Sequence, residues 1–268
     1  MARSWDQFLR GSATAEHAVQ IYSDLDELAN SVADYLAAGF EAGDPAVVVA
    51  VPEHWSRFEE RLQLTGCDVH AIEEQGLLVV VDAQATLAEI MDGGDAPSSA
   101  VFERVIGGLL DQVAERFPGR QIRAFGEMVN LLAEAGSTHA AIRLEELWNA
   151  AAETRAFSLL CGYHLSLFDR AAQTGALPQI CRQHSHVQPA ADRARLAQAV
   201  DLALEEVLGY ERAGRVYFMI GQESRDERVP LAQLVLMWVS KNMPTTADRI
   251  LSSARARYFG ELITAPKL

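Results

Sequence analysis

Two stretches place reactive side chains at the ends of apolar runs: QIRAFGEMVNLL, residues 121–132, and FSLLCGYHL, residues 157–165. The first holds Arg123 inside its apolar run, with Glu127 and Met128 just beyond it; the second holds Cys161, Tyr163 and His164. A carboxylate in such a position can serve as a general base or orient the polar end of a ligand, and a thiol near an imidazole can become a nucleophile. A guanidinium within an apolar strand needs a partner, because its burial is otherwise costly. Glu127, Asp82 or an anionic ligand would fill that role for Arg123. Glu127 has two plainer alternatives, capping the helix that follows it or pairing with Arg123 or Arg143. Cys161 equally suits a small buried hydrophobe, and His164 a surface histidine. Three positions separate Cys161 from His164, so a thiolate–imidazole pair between them is not expected. His17 precedes the run Val19-Gln20-Ile21-Tyr22, and His184-Ser185-His186 alternates like strand residues facing one side. With Glu127 these histidines form a weak metal-binding pattern; the expectation is no metal and no cofactor.

Motifs for the commoner chemistries are missing. There is no GxSxG elbow, GxxxxGK[ST] loop or GxGxxG turn after the first strand pattern. Lysine occurs only at Lys241 and Lys267, which removes Schiff-base and P-loop chemistry from the front of the chain. Three scattered cysteines, Cys67, Cys161 and Cys181, do not form a disulfide framework or a CxxC zinc site.

The elements that must carry these residues follow from periodicity. Leu25, Leu28, Ala29, Val32 and Leu36 recur at helical spacing after a Ser23-Asp24-Leu25-Asp26 capping box, with Gly39 as the expected stop. Residues 46–51 (AVVVAV), 77–81 (LLVVV), 122–125 (IRAF) and 157–161 (FSLLC) are continuous rather than alternating apolar runs. Such runs mark strands covered on both faces. Between them, helices are marked by Trp55, Phe58 and Leu62, by Val101, Leu109 and Val113, and by Ile142, Leu147 and Trp148. Gly107-Gly108 signals a close approach within one of these helices. The expected class is α/β, a parallel RecA/KaiC-like sheet flanked by helices and followed by an all-helical C-terminal extension. Asp82, Glu127 and the Cys161–His164 segment then fall near strand C-termini, where ligands of open parallel sheets bind.

The division reads as an N-terminal arm over 1–16, an α/β domain over 17–187, and a helical extension over 188–268. In the extension, Leu196, Val200 and Leu204 share a stripe, 210–220 is ambiguous, and two helices flank Pro244. The LVLMWV run at 234–239 fits a core or a homodimer interface. Residues 1–186 hold 12 Arg against 27 Asp and Glu, whereas 187–268 hold 11 Lys and Arg against 10 acids. An acidic front half repels phosphate backbones, so no nucleic-acid partner is expected. No apolar run is long enough for a membrane span and no leader is visible, so no membrane partner is expected and the cytoplasm is the expected location.

Read in order, His17 with Tyr22, Gly39-Phe40 with Gly43-Asp44, Gly76-Leu77-Leu78-Val79, Ile122-Arg123 with Gly126-Glu127-Met128, and Leu160-Cys161-Gly162-Tyr163 resemble the MEDS family, named for the sensory domain of the regulator DcmR. His184 or His186 matches the family's late histidine. The resemblance covers about residues 15–187. The family's GL..GE element here reads Gly39-Phe40-Glu41-Ala42-Gly43-Asp44, and its aromatic after GEM is replaced by Asn130. The resemblance implies a sensory module that binds a small organic, hydrocarbon-like ligand on a RecA/KaiC-type core. The expected ligand set is His17, Tyr22, Asp82, Arg123, Glu127, Met128, Cys161, Tyr163, His164 and His184, with no catalytic residue. The alternatives are a metal- or Glu127-dependent hydrolase, and a protein–protein regulator of a signalling kinase or sigma-factor pathway.

Overall fold

The uninterrupted apolar runs become parallel strands. The computed structural model describes residues 4–11, 15–223 and 227–260. They divide into two units: 1–164 with 183–186, and 165–182 with 187–268.

The first unit runs through α1 (Trp5–Arg10), β1 (His17–Tyr22), α2 (Leu25–Ala42), β2 (Ala46–Ala50), α3 (Pro52–Leu64), α4 (Val69–Glu74), β3 (Leu78–Asp82) and α5 (Ala83–Met91). It continues through α6 (Ser99–Phe102), a π-helical turn (Glu103–Gly107), α7 (Gly108–Arg116), β4 (Ile122–Gly126), α8 (Met128–Glu134), α9 (Thr138–Ala152) and β5 (Phe157–His164). With β6 (His186–Gln188) the sheet has the order β3-β2-β4-β5-β1-β6. The expected α/β class, a parallel sheet flanked by helices with further helices after it, is what the structure shows.

Register decides which side chains share a face, because successive residues of a strand point to opposite sides. In β1 and β5, His17 pairs with Leu159, Val19 with Cys161 and Ile21 with Tyr163. Gly126 of β4 sits beside Cys161, and Ala124 beside Leu159. These residues form one face. The other face presents Tyr22, Val48, Arg123, Phe125, Leu160 and His164. Helices α2 and α3 cover the latter face, where Leu28, Tyr35, Leu36, Phe58 and Leu62 join one core with Val48, Phe125 and Leu160. Each such fully buried side chain contributes roughly 1.5–3 kcal/mol. Helix α9 lies against the first face, its Trp148 ring 5.9 Å from that of Phe157.

Three local expectations shift. Asp24, not Ser23, is the N-cap of α2 and accepts the Asp26 N–H at 2.9 Å. The helix runs through Gly39 and ends at Gly43, whose φ of 75° only glycine adopts without cost. Gly39 is needed for space instead. A Cβ there would collide with Cδ of Arg123 and lie 2.7 Å from its Nε. Close approach at Gly107 is also observed, because a Cβ there would come within 3.0 Å of Arg155 Nη2; Gly108 faces open space.

The second unit contains α10 (Arg170–Thr174), most of α11 (Ala176–Gln183), α12 (Arg193–Leu208), α13 (Tyr210–Gln222), α14 (Leu231–Asn242) and α15 (Pro244–Phe259). The ambiguous 210–220 segment is helical. Val235, Leu236 and Val239 of the LVLMWV run are fully buried in this unit, alongside Val200, Leu204 and Leu251. The last helix ends at Phe259, with Gly260 in the left-handed region behind it; Lys267 lies outside the described residues. No helix among the described residues is long and apolar enough to cross a membrane.

Candidate functional site

The side chains singled out in the sequence separate into two groups and two outliers, and strand parity explains most of the separation.

The first group is a buried polar cluster beneath the face covered by α9. His17 opens β1, and Cys161 and Tyr163 lie two residues apart on β5, so all three project to the same side. His184 comes from the segment that returns to the first unit, where the Ser185 N–H donates to the His17 carbonyl at 2.7 Å. The acid that meets them is Glu145 of α9, fully buried. Its Oε2 lies 3.2 Å from His17 Nε2 and 3.7 Å from Cys161 Sγ. Its Oε1 accepts the Tyr163 hydroxyl at 2.9 Å and lies 3.3 Å from His184 Nε2. His17 Nε2 is also 3.3 Å from Cys161 Sγ, and its ring stands 4.1 Å from that of His184. On the far side of the His17 ring, Nδ1 is 2.9 Å from Asn149 Oδ1. The Asn149 amide nitrogen donates to the carbonyl and the side-chain oxygen of Gln183, each at 3.1 Å.

Electrostatics follow from this crowding. Burial alone would raise the Glu145 pKa, but the His184 and His17 imidazoles outweigh it and hold the carboxyl well below its ordinary value. The Cys161 thiol is pushed far up, by burial first and then by the Glu145 charge. Burial and the same carboxylate also raise the Tyr163 phenol. One atom from each of His17, Glu145, Cys161 and His184 could serve a metal ion, and these four atoms lie within 4.8 Å of one another.

The second group occupies the C-terminal rim of the sheet. Glu127, 1% exposed, follows β4 and reaches across to β2. It accepts the Val51 N–H at the start of α3 and lies 2.5 Å from His54 Nδ1 in the first turn of that helix. Val51 itself supplies no side-chain cap, so Glu127 places a carboxylate where the N-terminal dipole of α3 favours one. The His54 side chain keeps 23% of its surface open. Its pKa is raised above the ordinary imidazole value, chiefly by the hydrogen bond to Glu127 and against partial burial. Tyr22 at the end of β1 stacks on His164 at the end of β5, with ring centroids 5.3 Å apart. The His164 N–H donates to Asn130 Oδ1 at 2.8 Å, and its Nδ1 is 3.3 Å from Glu134. Burial, followed by the Glu127 and Glu134 charges, raises the Tyr22 phenol. Met128 is buried at the start of α8.

Several expectations are corrected by these positions. Arg123 does not meet Glu127 or Asp82. It sits at the start of β4 on the α2 face, where it donates to the carbonyls of Leu9 (2.7 Å), Tyr35 (2.8 Å) and Gly11 (2.6 Å). Asp44 stands 3.9 Å from its Nε, and the Tyr35 ring lies 5.0 Å beneath it. Glu127 caps α3 rather than its own helix and pairs with neither Arg123 nor Arg143; Arg143 instead meets Glu146. Asp82 is exposed at the outer end of β3 and caps α5 through the Ala85 N–H. His184 and His186 do not share one side. His184 enters the cluster, whereas the His186 ring packs 5.4 Å from that of Phe8, in the core under α1 and α2. The imidazole beside Cys161 is that of His17, not His164.

The sequence reading overlooked Glu145, Asn149 and His54. A signal existed for the first two. Ala141, Leu144 and Trp148 mark the buried stripe of α9, and Glu145 lies within it, with Asn149 one turn further on. Separately, a cavity of about 390 Å³ lies within the helical unit, bounded by Gln173, Pro178, Ile220, Leu234, Trp238 and Lys241; none of the expected ligand residues lines it.

Compared with known proteins, residues 16–184 match the family model described as MEthanogen/methylotroph, DcmR Sensory domain, MEDS. No curated protein matches the chain.

Proposed function

The chain belongs to the MEDS family, and from that premise we propose a non-catalytic sensory module that binds a small organic, hydrocarbon-like molecule at the C-terminal rim of its sheet. The helical unit would report the occupied state, either to a signalling protein or through a second copy of the chain.

One observation carries this reading, the placement of Glu127 across the gap between β2 and β4. After β2 the chain turns into α3, which joins the core on one face; after β4 it leads to α9 on the opposite face. Neighbouring strands whose following helices diverge in this way open a crevice, and ligands of open parallel sheets bind there. Glu127 spans it with a hydrogen-bonded carboxylate, and His54 leaves one polar edge open to solvent. Tyr22, stacked on His164, is close enough to feel the Glu127 charge, and Met128 is the buried residue that follows Glu127. A few fixed polar groups among apolar walls is the usual make-up of a small-molecule site. A ligand signals only if it prefers one of two states of the protein.

The test begins with native mass spectrometry of the protein purified from its own host, to identify a bound organic molecule. Glu127→Gln keeps an acceptor for the Val51 N–H but loses the charge facing His54. With the identified ligand, its affinity should fall about tenfold, equivalent to ~1.4 kcal/mol, while the far-UV circular dichroism spectrum stays that of the folded wild type. Equal affinity in both proteins would remove Glu127 from the site. The short His54–Glu127 contact favours one second reading, a hydrolase in which this pair moves a proton. Turnover in a hydrolase panel, abolished by Glu127→Gln, would support that reading over the sensor.

A further inference from the structure

We propose that His17, Glu145, Cys161 and His184 form a binding site for one divalent cation of the zinc class. This goes beyond the sensory reading and does not depend on it, because the cluster and the rim crevice use different residues.

The spacing has the dimensions of a coordination shell. Zinc bonds of about 2.0–2.3 Å arranged tetrahedrally separate neighbouring ligand atoms by roughly 3.3–3.8 Å. His17 Nε2 lies 3.2 Å from Glu145 Oε2 and 3.3 Å from Cys161 Sγ, and Sγ to Oε2 is 3.7 Å. His184 Nε2 completes a set whose atoms all fall within 4.8 Å of one another. Two imidazoles, a thiolate and one carboxylate oxygen suit zinc and its first-row neighbours, not calcium or magnesium, which require six or more hard oxygens.

The surroundings orient these atoms as an outer shell orients metal ligands. Gln183 takes both bonds from the Asn149 amide nitrogen, so the Asn149 oxygen is the atom turned to His17 Nδ1. The Asn149 oxygen therefore holds a proton on Nδ1, which leaves Nε2, facing Cys161 and Glu145, as the atom a metal takes once its own proton departs. Tyr163 binds Oε1 of Glu145, leaving Oε2 to the cluster.

Charge accounting favours an ion as well. Glu145 and a Cys161 thiolate together balance a dication, so the buried complex is neutral; the thiol proton leaves to solvent when the metal binds. With four protein ligands and no open position, the site is of the closed type that ties elements together. Here it would clamp β1, α9, β5 and the returning 183–186 segment.

The experiment uses the full-length, tag-free chain, stripped with a chelator and titrated with Co²⁺ and with Zn²⁺. One equivalent of cobalt should bind with a thiolate-to-cobalt charge-transfer band, and one equivalent of zinc should displace it and raise the melting temperature. Cys161→Ser should abolish the band, and Asn149→Ala should weaken the metal about 10–100-fold. His70→Gln, at an exposed position of α4, should leave binding unchanged. Stripped, folded wild-type protein that takes up neither ion overturns the proposal. So does stoichiometric cobalt lacking the thiolate band, or retaining it in Cys161→Ser. If Cys161→Ser does not fold, the wild-type titration and band decide alone.

Discussion

Glu127 and Glu145 are both buried carboxylates, and the atoms that reach each one set its role. Glu127 bridges a backbone amide and one half-open imidazole; Glu145 collects two imidazoles, a phenol and a thiol in a sealed space. The rim pair gives a pH prediction. Folding gives His54 a hydrogen-bonded carboxylate partner and raises its pKa, and the unfolded chain lacks that partner. Protonation therefore favours the folded form. The contribution is fully present below about pH 6.5, the unfolded value, and is lost as pH rises through the raised folded value. The thermal midpoint of the wild type should accordingly decline more steeply than that of His54→Gln above about pH 6.5. Parallel midpoint-versus-pH curves for the two proteins would show that the pair adds nothing.

Among the elements, β4 and α2 show how one buried charge constrains its neighbours. Arg123 stands in a strand whose other residues are apolar, and its guanidinium gathers the carbonyls of Leu9, Gly11 and Tyr35. Its stem fills the space that a side chain at 39 would need. Helix propensity alone would make Gly39→Ala favourable by up to ~1 kcal/mol. Overpacking against a fixed side chain costs about 1–3 kcal/mol, and Arg123 cannot swing away without losing three carbonyl partners. The steric cost prevails, so Gly39→Ala should lower stability by about 1–2 kcal/mol in denaturant melts. A stabilised variant would mean that Arg123 has room to shift. Parity on β5 was legible beforehand, since Cys161 and Tyr163 stand two apart and His164 falls on the opposite side. Reading the same parity on β4 separates Arg123 from Gly126, the residue that lies beside Cys161.

For the molecule as a whole, the division into units departs from the simplest reading of composition. The change in charge and pattern near 187 marks where long helices begin, yet residues 165–182 cluster with those helices. Gln233 of α14 donates to Gln173 of α10 at 2.8 Å in a buried position, Arg170 lies 3.1 Å from Asp248, and the Phe168 ring stands 5.9 Å from Tyr258. A fragment of residues 188–268 lacks these partners and exposes the apolar faces of α14 and α15. It should melt without cooperativity by circular dichroism, whereas residues 165–268 should show a cooperative transition. Equally cooperative melting of both fragments would make α10 dispensable.

Local pattern was enough for the α/β class. Strands buried on both faces must be apolar throughout, helices must repeat near 3.6 residues, and both periods can be read without knowing any contact. The family follows from an ordered set of short motifs spread over the same span. Tertiary structure alone decided which acid meets the thiol. It also decided that His184 rather than His186 enters the cluster, and that Glu127 serves a helix 76 positions earlier. Those choices depend on how α9 lies against the sheet and on where the chain returns beside β1, 168 positions after His17. Such separations leave no mark on local periodicity, because packing between distant segments fixes them.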